Sequence, residues 1–323
     1  MCYKLSNRII YTNIEVRNLI YTLTTNPAID MNINTKTLEP SFVNRTDEVV
    51  YTPNGKGINV AFVLGHYGVE AKILGFFGGF SGKYIVEEIE KKGEKIDPIW
   101  IDEITRINVF INRNGEEYKL VNKGGFVSTD KQKELLDLIK SKNDCTHLSI
   151  SGSLPSGIED SYYYEIMEMC KEKGIKVILD ISSKELKGLL KYEPLLIKPN
   201  DDEIKEIFGK EVKDEKSLKE VLKYLHDLGA QNILLTMGEK GLYFSNKEKI
   251  WFCDAPKVEL VSSACSGDSC LGAFLSEWLS GKEIEHALKK ASATGANVAE
   301  SMGIGDLKKV QKYIESLNIK EVV

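Results

Sequence analysis

HLSISGSLPSGIEDSYYYEIMEMCKEKGIKVILD, residues 147–180, holds two short, continuously apolar runs, HLSIS and KVILD, with a helical stretch between them. Such runs with no polar alternation read as strands buried on both faces, and a helix joining two of them is the mark of a parallel sheet. The rhythm extends outward. LLIK at 195–198 and NILLT at 232–236 continue it, separated by helical stretches such as EIKEIFG, and DKQKELLDLIK precedes the first run. Ile20 to Thr24 reads as an earlier strand ending at the turn-forming Asn26-Pro27, and Gly57 to Tyr67 carries a helical apolar pattern. The expected fold is therefore α/β, a mainly parallel central sheet between helical layers, with ligands at the carboxyl ends of the strands.

Two segments break this rhythm. MNINTKTLEPSFVNRTDEVVYT (31–52) and ITRINVFINRNGEEYKLVNK (104–123) alternate polar and apolar residues, and the second carries Asn114-Gly115, a strong hairpin signal. They read as ordinary surface hairpins or as a small separate sheet serving as a lid. The division expected is an extension over 1–18 and one domain over 19–323, with lid strands inserted at about 31–53 and 98–123. The native start is expected near Leu19, where the first strand pattern begins.

Composition removes several classes of function. A net charge of −5 with a pI near 5.6 lacks the basic excess of a nucleic-acid or anionic-membrane partner. Six cysteines without a CxxC pair indicate neither a disulfide framework nor a zinc site, and fit reduced thiols in a cytoplasm. The four histidines show no metal-pair spacing. No apolar run is long enough to span a bilayer.

Nucleotide motifs are also missing. Each Gly-Lys pair, at 55, 82, 209 and 281, lacks the earlier glycine of a P-loop, and GKGINV ends in Val60 where the dinucleotide fingerprint needs glycine. Phosphates must be held another way, and SSACSGDSCLGAF (262–274) offers one: small residues opening a helix, whose free N–H groups and dipole favour an anion. Asp268 in that stretch is a helix cap or a catalytic carboxylate; the spacing leaves both open.

TLTTNPAID (22–30), NGKGINVAFVL (54–64), TRINV (105–109), SGSLPSG (151–157), IKPNDDE (197–203) and CSGDS (265–269), in this order, carry a resemblance. From about residue 20 to 310 the chain resembles the ribokinase-like (PfkB-type) sugar kinases, most closely the branch of 1-phosphofructokinase and tagatose-6-phosphate kinase. The resemblance implies a three-layer α/β/α core with a small β-sheet lid, and ATP and Mg²⁺ as cofactors. The reaction implied is phosphorylation of a ketohexose monophosphate. Fructose 1-phosphate, giving the 1,6-bisphosphate, is the first choice; tagatose-6-phosphate kinase and 6-phosphofructokinase are the alternatives, and a non-catalytic sugar-phosphate-binding protein is the rival of another class.

The same resemblance implies roles residue by residue. Asp268 is the general base, with the N–H groups of Cys265, Ser266 and Gly267 as an anion hole. Asp30, Gly55, Lys56, Asn59, Arg106 and Ser153 bind the sugar phosphate, with Arg106 on its existing phosphate. Lys198, Thr236, Gly238, Gly241 and Asn297 attend the nucleotide, Asn297 near the adenine. Asn200 and Glu203 organise Mg²⁺, partly through water. Lys119 and Arg45 read as solvated surface charges. Partners are confined to sugar phosphate and ATP, with a homodimer expected through the lid. Cys265 and Ser266 depart from the family's Gly-Ala before Gly-Asp. A cysteine there costs the freedom of positive φ that glycine has. A thiol at a helix start is also expected to have a lowered pKa and to react readily, unless it is buried and inert.

Overall fold

The computed structural model describes residues 19–322; the expected extension over 1–18 and the start near Leu19 fall outside or at the edge of them. The chain begins with β1 (Ile20–Thr24), β2 (Ala28–Thr35), β3 (Glu48–Asn54), α1 (Lys56–His66), β4 (Ala71–Gly78), α2 (Gly79–Lys91) and β5 (Lys95–Ile101). It continues through β6 (Arg106–Arg113), β7 (Glu116–Leu120), α3 (Thr129–Ser141), β8 (His147–Ser151), α4 (Ser161–Lys173), β9 (Lys176–Asp180), α5 (Leu186–Leu189) and β10 (Leu196–Ile197). The last part is α6 (Asp201–Phe208), α7 (Glu215–Asp227), β11 (Ile233–Thr236), β12 (Leu242–Ser245), β13 (Ile250–Cys253), α8 (Ser266–Trp278), α9 (Ile284–Ala299), α10 (Val310–Ser316) and β14 (Ile319–Glu321).

The large sheet has ten strands in the order β14-β13-β12-β11-β10-β9-β8-β1-β4-β5. From β11 to β5 every neighbour is parallel, and β12, β13 and β14 add an antiparallel margin. Alternate residues of one strand feed the two faces. Val177 and Leu179 join the apolar cluster under α3, α4 and α7, while Ile178 joins the cluster under α1, α8 and α9. A strand buried on both sides has no polar alternation, which is why KVILD reads as it does.

The order of the strands positions the site. The chain leaves β1 toward β4 and β5, then returns to β8 on the other side of β1, so the connections part beyond the carboxyl ends of β1 and β8. A crevice opens at such a reversal. Gly57 lets α1 come down on it: a Cβ there would sit 2.5 Å from Thr24 Oγ1 and 2.9 Å from the Leu23 carbonyl oxygen.

The second sheet has four strands in the order β3-β2-β6-β7, made of the two segments that broke the rhythm. Asn114 and Gly115 take φ of 51° and 89° between β6 and β7, the left-handed pair that a tight hairpin turn needs. Two boundaries differ from expectation. The sheet begins at Ala28, and residues 98–101, read as lid, are the end of β5 in the large sheet. Pro98 pairs in parallel with Gly75 there as part of an edge strand, where a missing N–H is tolerated.

One half-buried acid lies outside the crevice. Burial alone pushes the Glu94 carboxyl from 4.5 up to about 7, beside Gly65, where a Cβ would clash with its oxygens. A folded pKa above the unfolded one means that the native state binds the proton more tightly, so this contribution is complete below pH 4.5 and lost as pH rises through 7. Glu94→Gln is expected to raise stability at pH 8 by about 1 kcal/mol, discounted for partial solvent access, or roughly 2 °C in Tm. The gain should vanish near pH 4.5. An equal gain at both pH values in thermal melts would mean that charge is not its source.

Candidate active site

The carboxyl ends of β1, β8, β9, β10 and β11 and the start of α8 enclose a groove of about 1390 Å³. Gly55, Lys56, Arg106, Ser153, Lys198, Asn200, Glu203, Thr236, Gly238, Gly241, Cys265, Ser266, Gly267 and Asp268 all line it. Residues spread over more than 200 positions of sequence are thus brought together. Asp30 and Asn59 line a smaller adjoining cavity instead, separated from the groove by Asn54 and Cys265, which face both.

Asp268 is not the cap of its helix. It sits at the third position of α8, nearly buried, and its Oδ2 accepts a hydrogen bond from Asn59 Nδ2 at 2.9 Å rather than from a backbone N–H. No side chain caps the start of α8. Its first-turn N–H groups are therefore available to an anion. Burial and then the Asp180 charge raise the Asp268 carboxyl above the usual range, against the pull of Lys56, Asn59 and Lys198. A carboxylate raised in this way is a better proton acceptor, as a general base requires.

Asn59 is itself held from α1. Its Nδ2 also reaches Asn54 Oδ1 at 2.8 Å and Cys265 Sγ at 3.3 Å. Asn54 Oδ1 accepts from the Gly55 N–H at 2.6 Å, and Asn54 Nδ2 donates to Asp30 Oδ2. Asp30 Oδ1 takes Asn108 Nδ2 at 2.9 Å. A chain of amides thus runs from the lid carboxylate to the base. Burial raises the Asp30 carboxyl, with Asn54, Asn108 and Arg106 opposing.

Arg106, at the start of β6, donates from Nη2 to the Asn26 carbonyl at 2.9 Å and from Nη1 to that of Asn122 at 3.2 Å, while Nε is buried without a partner among the described residues. Ser153 Oγ accepts from Asn26 Nδ2 at 3.4 Å, tying the SGSLP turn to the end of β1. Lys119 pairs with Glu117 on the exposed lid and Arg45 is exposed, as solvated charges.

Two readings depart from expectation. Cys265 does take the left-handed conformation, φ 64°, that glycine favours. Its thiol, however, is pushed up, not down: burial dominates, and the charges of Asp268 and Asp30 add to it, against the hydrogen bond from Asn59. The expected reactivity is corrected accordingly. At pH 7.5 Cys265 should be alkylated by iodoacetamide more slowly than a free cysteine; mass spectrometry showing faster labelling would reinstate the dipole. Asn297 does not line the groove. Its Oδ1 accepts the Lys309 N–H at 2.9 Å and it is buried, so it fastens α9 to the segment before α10. Its neighbours Gly295, Ala296 and Ala299 line the groove in its stead.

Asn200 and Glu203 form a capping box on α6. Asn200 Oδ1 accepts the Glu203 N–H at 2.7 Å, Glu203 Oε2 accepts the Asn200 N–H at 3.0 Å, and Glu203 Oε1 takes Ser182 Oγ at 2.6 Å. With the oxygens so engaged, and no cluster of three His, Cys, Asp or Glu fit for a metal among the described residues, the pair suits a magnesium ion that keeps its waters and is held mainly by phosphates. Asp180 Oδ2, close by, is fully buried and unpartnered among the described residues. The sequence reading missed Asp180, Asn54, Asn108 and Ser182. Asp180 had a usable signal, since it ends KVILD at the carboxyl end of a parallel strand.

Residues 18–310 match the model of the pfkB family of carbohydrate kinases. The chain is 49% identical over 304 residues to the D-tagatose-1-phosphate kinase of Klebsiella oxytoca, covering 94% of this chain and all of that one. It is 31% identical to the 1-phosphofructokinase of Borreliella burgdorferi, covering 94% and 99%. Among solved structures it superposes on phosphofructokinase-2 from Escherichia coli, in complex with substrates and products, with a TM-score of 0.86 at 25% identity, covering 92% and 98%. The chain belongs to the pfkB family of carbohydrate kinases and is a sugar-phosphate kinase.

Proposed function

We propose that this kinase transfers the γ-phosphoryl group of ATP to the 6-hydroxyl of a ketohexose 1-phosphate, giving the 1,6-bisphosphate. The observation that carries the reading is Asp268: a nearly buried carboxylate on the uncapped start of α8, oriented by Asn59 and beside Lys56 and Lys198. Asp268 takes the hydroxyl proton, and the first-turn N–H groups of α8 hold the transferring group. Lys56 and Lys198 offset its charge. Arg106 receives the substrate's existing phosphate, with Ser153 beside it, and Thr236, Gly238 and Gly241 line the nucleotide end. Asn200 and Glu203 would orient the waters of a magnesium ion, whose charge would help to neutralise the phosphates.

The relatives' names support D-tagatose 1-phosphate and fructose 1-phosphate as substrates, which differ in configuration at C4. The higher identity favours tagatose 1-phosphate over the fructose ester preferred from the sequence. Val49, Tyr51, Tyr118 and Leu120 are exposed on one face of the lid, an apolar surface that supports pairing with a second copy. The test is ADP release with Mg²⁺ and ATP across the 1- and 6-phosphates of tagatose and fructose. Turnover confined to the 1-phosphates is expected; preference for a 6-phosphate would overturn the assignment of the phosphate position.

A further inference from the structure

We propose that Asp180 is a positioning residue for phosphoryl transfer, a buried carboxylate that holds the ammonium groups of Lys56 and Lys198 together in the groove and off the catalytic base. The inference rests on the kinase reading above. Asp180 ends β9, and its side chain is 0% exposed. One oxygen, Oδ1, receives both Lys56 Nζ and Lys198 Nζ, each at 3.2 Å. The lysines come from separate parts of the fold, Lys56 from the start of α1 behind the lid and Lys198 from the end of β10. Lys198 Nζ lies 3.4 Å from where a Cβ on Gly267 would stand, next to the anion-binding start of α8.

Stability does not account for this arrangement. A buried ion pair is commonly matched or bettered by apolar residues of similar volume, because desolvating the charges costs as much as their attraction returns. Geometry does account for it. Two cations on one anion leave an excess positive charge facing the groove, where a phosphate enters. Asp268, meanwhile, bonds to Asn59 and to neither lysine. Lys56 feels the charges of Asp180, Asp268 and Glu203, in that order of strength. Without Asp180, the next strongest attraction for Lys56 is the base, and an ammonium paired to Asp268 would occupy the lone pair that must accept the substrate proton.

Asp180→Asn keeps the shape and an acceptor oxygen but removes the charge. Steady-state kinetics of this variant should show kcat reduced about 100-fold, the scale of a small misplacement of a catalytic group. KM should rise for both ATP and the sugar phosphate, because each lysine serves a different end of the groove. Combined with Lys56→Met, the loss should be well below the product of the two separate losses, since one residue acts through the other. Multiplicative losses, or a rise in one KM alone with kcat intact, would overturn the proposal. Should Asp180→Asn not fold, as read by circular dichroism, Asp180→Ser replaces it; failure of both to fold would assign Asp180 to stability and sink the idea. A wild-type protein that phosphorylates no ketohexose phosphate would refute the kinase reading instead, so the two failures are distinct.

Discussion

Asp268→Asn is expected to lower kcat by roughly 1,000-fold, about 4 kcal/mol of transition-state stabilisation, with KM for both substrates changed severalfold at most. The side chain is the same size, and its carbonyl oxygen can still accept the Asn59 amide, so the turn at 265–268 keeps its shape. What is lost is the second carboxylate oxygen as a proton acceptor, replaced by an amide that donates. The pH dependence supplies an independent check. Because burial and Asp180 raise the Asp268 carboxyl, wild-type kcat should fall as pH drops through that raised pKa, well before an ordinary aspartate would be protonated. The residual activity of the variant should lack that acid limb. A variant that keeps more than a tenth of wild-type kcat, or the same limb, would remove Asp268 from the role of base.

The parts of the molecule that were legible in its sequence are those where one physical constraint acts alone. HLSIS and KVILD are strands to the residue, because burial on both faces leaves no room for polar alternation. Asn114-Gly115 fixed the hairpin because few other pairs tolerate two positive φ values in succession. The margin β12 to β14 was not anticipated: GLYFSNKEKIWFC alternates weakly and its turn has no Asn-Gly, although Lys247 takes φ 75° there. In the site, Lys56 and Asp268 lie in the motifs that carry the family resemblance, and the fold brings both to one groove. Asn108 escaped because its partner Asp30 lies 78 residues away and no local spacing encodes such a contact, whereas Asp180, for all its place at the end of KVILD, gives no local hint of the two lysines it joins. Cys265 shows the opposite failure. Its helix start is visible in the sequence, but the desolvation that reverses its pKa comes from the enclosing fold. Asn297 failed in a related way, since the last helical region does reach the groove, but a shift of one or two residues around α9 separates lining the groove from capping a turn behind it.

Arg106→Met should raise KM for the sugar phosphate roughly 100-fold while kcat at saturation stays within about fivefold. The expected magnitude follows from a charge-assisted contact of about 3 kcal/mol to a phosphate that does not react and is therefore bound equally in the ground and transition states. The placement of the guanidinium suits this task. Two of its nitrogens are steadied by the Asn26 and Asn122 carbonyls, one on the core side and one on the lid. Its buried Nε has no partner among the described residues. A buried donor without an acceptor carries a desolvation cost that an entering phosphate would relieve. Arg106→Lys should recover only part of the loss, since an ammonium keeps the charge but not the planar fork that spans core and lid while presenting further donors to an oxyanion. KM for ATP should be unaffected, and that contrast separates Arg106 from Asp180, whose loss is expected to move both constants. Should Arg106→Met change kcat instead of KM, the arginine would be stabilising the transferring phosphoryl group, and the substrate's own phosphate would have to be sought elsewhere in the groove.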